Sequence, residues 1–178
     1  FRVTGGTFDH NNGKILFIGS GNQTLDFSGI AAGVVLNTVD FNRDNGTAPF
    51  LFGKMITVGP LSLIDGGLQN SGTIEAQGDV TIASGFDGGG PNIFIFGGNA
   101  VQTFTNNGAP NPPAAWTLNK TGGTVNLASN LDLSNGPASA LNLLAGTITT
   151  GNFELNAGTR TIVRSGGYVS GNLRRDFS

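Results

Sequence analysis

The side chains able to do chemistry are few and scattered along the 178 residues. His10 is the only histidine and there is no cysteine. A nucleophilic triad would have to run through His10, yet no Gly-x-Ser-x-Gly elbow accompanies it, and Asp9-His10-Asn11-Asn12-Gly13 reads as a solvated corner. A zinc-type centre lacks ligands. Carboxylates remain, because clustered Asp and Glu serve calcium binding and the acid/base cleavage of polysaccharides. Asp40 and Asp44, flanking Asn42 and Arg43, are the pair best placed for this, with Asp65 or Asp79 brought near by stacking. The acids are rare and each lies beside a turn, so the sequence assigns no catalytic, cofactor or metal residue.

Other motifs carry equally little chemistry. Gly88-Gly89-Gly90 lacks the strand, glycine spacing and following helix of a phosphate loop, and Asp87 precedes these glycines, the reverse of a calcium-binding nonapeptide. Asn22-Gln23-Thr24, Asn45-Gly46-Thr47 and Asn119-Lys120-Thr121 match the N-glycosylation pattern, as chance provides in a chain this rich in Asn and Thr. Phe17, Phe50, Phe52, Phe94 and Phe96 lie in apolar runs and are expected in the core. Trp116, directly after a Pro-rich segment, is the one aromatic side chain kept as a ligand candidate.

Composition narrows the class. Of 178 residues 30 are glycine, 38% are hydrophobic and 11% charged, which is too apolar for a disordered tract and implies many turns. The net charge of −2 does not favour nucleic acid. Residues 1–110 carry four bases and eight acids, whereas residues 111–178 carry five bases and three acids, so an acidic body meets a basic end. Apolar runs fall far short of the roughly 20 residues a membrane helix needs, so no membrane insertion is expected. The chain opens at Phe1 without a basic leader, which fits a mature or excised segment.

Strand runs recur every six to ten residues between Gly, Asn, Asp and Pro, with no sustained helical period. In Leu131-Asp132-Leu133 and Phe153-Glu154-Leu155 apolar and polar residues alternate, giving a wall between core and water. Asn12-Gly13, Asn45-Gly46, Asn107-Gly108 and Asn135-Gly136 suit positive φ. Much of Gly5–Gln23 recurs from Phe86: Phe8-Asp9 answers to Phe86-Asp87 and Ile15–Gly19 to Ile93–Gly97, both 78 residues on. Val39–Asn42 parallels Trp116–Asn119 at 77, and Leu61–Leu68 parallels Leu141–Ile148 at 80. Such spacing favours one domain over residues 1–178, with units of about 78 residues at 8–85 and 86–163. An all-β fold follows: a parallel β-coil, or β-solenoid, of roughly 20–25 residues per turn, about seven to nine rungs and a rod about 35–45 Å long. An antiparallel β-sandwich is the alternative, and pairing between Lys14–Ile18 and Thr24–Phe27 would decide for it. Asn106 to Ala115, with Pro110, Pro112 and Pro113, reads as a protruding loop.

Gly-Thr-Phe-Asp-His-Asn-Asn-Gly from Gly6, then Gly19-Ser-Gly-Asn-Gln-Thr, Leu118-Asn-Lys-Thr-Gly-Gly-Thr-Val and Gly167-Tyr-Val-Ser-Gly-Asn-Leu-Arg-Arg resemble repeats of large secreted bacterial surface proteins of the adhesin or haemagglutinin type. The resemblance implies a right-handed parallel β-helix and an extracellular location. The expected role is non-enzymatic: a surface stalk segment, or a filament subunit that self-associates head to tail through Phe1–Val3 and Tyr168–Phe177, both read as strand without a capping helix. The alternative is a carbohydrate-binding or carbohydrate-active β-helix that meets surface glycans.

Overall fold

The computed structural model describes residues 1–21, 23–44, 50–69, 71–134 and 140–177. The Asn45-Gly46 and Asn135-Gly136 turns and the Asn22 and Asn45 glycosylation triplets lie wholly or partly outside them. The regular elements of the described residues are all strands: Lys14–Ile18 (β1), Thr24–Asp26 (β2), Val34–Leu36 (β3), Thr38–Asn42 (β4), Phe50–Phe52 (β5), Lys54–Thr57 (β6), Leu61–Leu68 (β7), Thr73–Ala76 (β8), Val80–Gly89 (β9), Ile93–Phe96 (β10), Gln102–Asn106 (β11), Ala115–Leu127 (β12), Leu131–Asp132 (β13), Leu141–Asn156 (β14), Ile162–Arg164 (β15) and Tyr168–Arg174 (β16).

Every pairing between these strands is parallel. β1 pairs with β4, not with β2, which removes the sandwich. Lys14 meets Thr38, 24 residues on; Leu61 meets Val80, 19 on; Trp116 meets Leu141, 25 on. Each such step is one turn of a β-solenoid. One face is built from β1, β4, β7, β9, β11, the end of β12, the middle of β14 and the start of β16, which gives about seven turns. A second face is built from β3, β6, β8, β10 and the starts of β12 and β14, then β15. β12 and β14 bend round corners and join the two faces into one 14-stranded sheet, while β2 and β5 pair separately on a third side.

The two copies of the sequence repeat fall on different faces. Ile15–Ile18 lies in β1 on the first face, Ile93–Phe96 in β10 on the second, and the same shift separates Val39 from Trp116 and Leu61 from Leu141. An offset of about 78 residues is therefore not a whole number of turns. What recurs is the order of strand and corner.

Alternation puts one residue in two inward, and parallel stacking places like on like. Val34, Met55, Ile74, Phe94, Trp116, Leu141 and Ile162 form one inward column. Beside it run Leu36, Thr57, Ala76, Phe96, Leu118, Leu143 and Arg164. The first six of each are buried, whereas Ile162 is half-buried and Arg164 exposed. Aromatic rings thicken the middle: Phe94 stacks on Trp116 at 4.5 Å, and Phe104 meets Trp116 edge-on at 6.4 Å.

Corners break the ladder and leave carbonyls needing donors. Lys120, 2% exposed, donates from Nζ to the Gly97 carbonyl (2.9 Å) and to Gln102 Oε1 (2.7 Å). Gln102 Nε2 in turn donates to the carbonyls of Ala76 and Gly78 at 2.8 and 2.7 Å. Three successive turns are stitched by two buried side chains. Burial pushes the Lys120 ammonium below its ordinary range.

On the outer surface three ion pairs each join a cation to a carboxylate one turn further along: Arg2 to Asp26 at 3.1 Å, Lys14 to Asp40, and Lys54 to Glu75 at 2.5 Å. Burial pushes the Glu75 carboxyl up, but hydrogen bonds from Lys54 and from Gln77 Nε2 (2.7 Å) outweigh it and hold the group below its ordinary 4.5. A depressed folded value means stabilisation that is complete above about pH 4.5 and lost as pH falls through the lowered folded value. Glu75→Gln is expected to flatten this acid limb in urea unfolding followed across pH. A limb as steep as the parent's would show that the pair contributes nothing.

Candidate functional site

The Pro-rich segment between β11 and β12 builds a cleft of mixed polar and apolar lining. Pro110, Pro112 and Pro113 cannot supply ladder donors, so the loop is held by side chains instead. Asn106 Oδ1 accepts from the N–H groups of Gly108 and Ala109 (2.9 and 3.0 Å), and Asn106 Nδ2 donates to the Ala109 carbonyl (2.8 Å) and to Asn111 Oδ1 (2.9 Å). Asn111 Nδ2 then donates to the Asp132 carbonyl one turn on, at 2.9 Å. Trp116 Nε1 donates to the Pro112 carbonyl at 3.1 Å.

The opposite wall is the end of β9. Gly88 and Gly89 have φ of +103° and +74°, and a Cβ on Gly90 would stand 2.6 Å from Pro112 Cβ, so these glycines let the loop lie flush on the turn before it. Between Asp87–Gly89, the prolines and Asp132–Leu133 opens a cleft of about 320 Å³. Its floor includes Arg160, 2% exposed, whose Nε donates to the Leu133 carbonyl (2.8 Å) and Nη1 to the Ala114 carbonyl (3.0 Å). Burial lowers the Arg160 pKa, but an arginine so far above neutrality remains a cation. Asp132 Oδ1 accepts from Ser134 N–H and Oγ–H and from Asn156 Nδ2.

The residues weighed in the sequence are placed elsewhere or differently. Asp40 is 6% exposed and is taken up by Lys14, while Asp44 is exposed just beyond the end of β4. His10 Nδ1 accepts from Asn12 N–H at 3.0 Å within its corner, where Asn11 and Asn12 adopt φ of +44° and +55°. Trp116 is corrected as a ligand candidate: at 1% exposure it is core, and it touches the cleft only by tethering Pro112. Phe17, Phe94 and Phe96 are core as expected, but Phe50 and Phe52 are 39% and 46% exposed, because Leu51 takes the inward position of β5 and sends its neighbours out. Their rings stand parallel, 6.3 Å apart with 8° between planes.

Arg160 and Asp132 are the cleft residues that sequence reasoning missed. A lone arginine between two threonines carries no signal, since its value lies in two carbonyls 27 and 46 residues away. No group of three or more metal-ligating side chains occurs among the described residues, nor a helix long and apolar enough to cross a membrane. No protein-family model, no curated protein and no solved structure matches the chain.

Proposed function

We propose that this chain is a structural module of an extracellular bacterial surface protein, a rigid rod segment that lengthens by addition of further turns. One observation carries the reading. Among the described residues the last turn, β15 and β16, pairs only with β14, and on its other edge inward Leu173 is 41% exposed and Val169 half-buried. An edge with unpaired backbone groups and exposed inward side chains is a template for another strand. The adhesin-like wording of the sequence supports the location, and the stacking of like residues supports a mechanical role, since each turn is stabilised by its neighbours.

The first turn is the natural complement. Phe1–Val3 bridges to Asp26, and Phe1 packs edge-on against Phe8 and Phe27 at 5.4 and 5.7 Å. A second copy seated by this strand on Tyr168–Phe177 would continue the coil head to tail. Arg164 sets a condition: it ends an inward column, so the covering turn must bring it a carboxylate or water.

Sedimentation velocity over a wide concentration range, with electron microscopy, tests the reading. Linear assemblies growing with concentration are expected, and Leu173→Lys should abolish them by placing a charge in the contact. Monodisperse single particles throughout would remove stacking between copies. Turnover of a polysaccharide by the purified chain would remove the structural reading altogether.

A further inference from the structure

We propose that the cleft beside the Pro-rich loop binds one hexose unit of a glycan, a role independent of the rod's mechanics. Its shape comes first. A volume of about 320 Å³ lies at the lower end of small-ligand sites and suits a single sugar ring. The loop's internal and cross-turn hydrogen bonds are made within the protein itself, so a ligand meets a wall already ordered.

Its chemistry selects the ligand class. Gly88 lies against Pro110, and Asn111 donates to the Asp132 carbonyl, so Asp87 and Asp132 sit one turn to either side of the loop. Two turn spacings separate their backbones by roughly 10 Å. Divalent cations need carboxylate oxygens converging at about 2.3–2.6 Å from one point, which that spacing opposes. It fits instead a polyhydroxylated ring whose hydroxyls reach the Asp87 carboxylate at one end, since an ionised carboxylate accepts several hydrogen bonds, while Asp132, whose Oδ1 is already taken up by Ser134 and Asn156, bounds the other end. Asp87 is exposed at the mouth, with its side chain available to accept. The faces of Pro110 and Pro113 offer apolar surface for the C–H side of the ring. The buried Arg160 cation beneath offsets part of the carboxylates' charge, so the site does not demand a cationic ligand.

Trp116 supplies a built-in reporter: it is the only tryptophan and is bonded to Pro112 in the cleft wall. The full chain is titrated with the methyl glycosides of glucose, mannose, galactose and N-acetylglucosamine, and separately with calcium and with spermidine. Amide shifts and Trp116 emission are followed. At least one sugar is expected to give saturable shifts confined to Asp87–Gly89, Asn111–Ala114 and Asp132–Leu133. Asp87→Asn, which leaves an exposed side chain of the same size and the fold intact, should weaken that sugar about tenfold or more. Silence with every sugar, shifts elsewhere on the coil, a response to calcium or spermidine alone, or an unchanged Asp87→Asn affinity would each overturn the proposal. None of these outcomes bears on end-to-end stacking, which Leu173→Lys tests separately.

Discussion

Replacing Trp116 by alanine is expected to cost about 3–5 kcal/mol, enough to unfold much of the middle of the rod. Trp116 fills the centre of an inward column between Phe94 and Leu141, at 1% exposure, with three phenylalanine rings within 6.4 Å of its centroid. Its removal leaves a cavity that strand backbones fixed by ladders on both sides cannot close, and it frees the Pro112 carbonyl from its only described side-chain donor. Denaturant melts of the variant should show a lowered midpoint, and Trp116→Phe should recover most of the packing but not the loop tether. A midpoint within a few tenths of a kcal/mol of the parent for Trp116→Ala would mean that the column is not packed as described.

Gly89→Ala is expected to cost about 3 kcal/mol or more by another route. Gly89 has φ of +74°, and a Cβ there would lie 1.9 Å from the Leu68 carbonyl oxygen in the preceding turn. The clash is with backbone, which cannot rotate away, so the ladder between β7 and β9 must open. Gly78→Ala is the comparison: its Cβ would meet the Gly59 carbonyl at 2.4 Å, with no positive φ to add. Equilibrium unfolding should rank Gly89→Ala as the more damaging, and hydrogen exchange should show protection lost at Leu68 and its neighbours. Tolerance of alanine at both sites would refute the close approach of turns at these corners.

Much of the fold was legible because solenoid rules are local. β1 was readable to the residue at Lys14–Ile18, because a run bounded by Gly13 and Gly19 leaves no other choice. The long strands were not. Ala115–Leu127 and Leu141–Asn156 read as separate short runs, since Gly122-Gly123, Gly146 and Gly151 interrupt the apolar pattern, yet pairing continues round the corners on both sides. Between Gly33 and Phe41 the opposite holds: residues that the sequence pattern joins into one run are split by a corner at Asn37, whose Nδ2 donates to the Asn12 carbonyl 25 residues back. Phe50 and Phe52 show the limit of composition, because parity around Leu51, not hydrophobicity, decided which ring met water. The cleft was half visible: prolines announced a loop, but Arg160 and Asp132 reach it only through stacking.

The parallel ladders also set how the rod answers a pull. Bonds between turns run along the axis, so tension applied at the two ends of the coil loads the turns in series and the weakest opens first, a peeling rather than a shearing failure. Between β14 and β16 a turn is about 21 residues, as from Ile148 to Val169, so each event would release roughly 70 Å of chain. Force would rise and fall in steps, with the stitched turns at Lys120 and Gln102 holding longest. Such a coil yields length gradually under load.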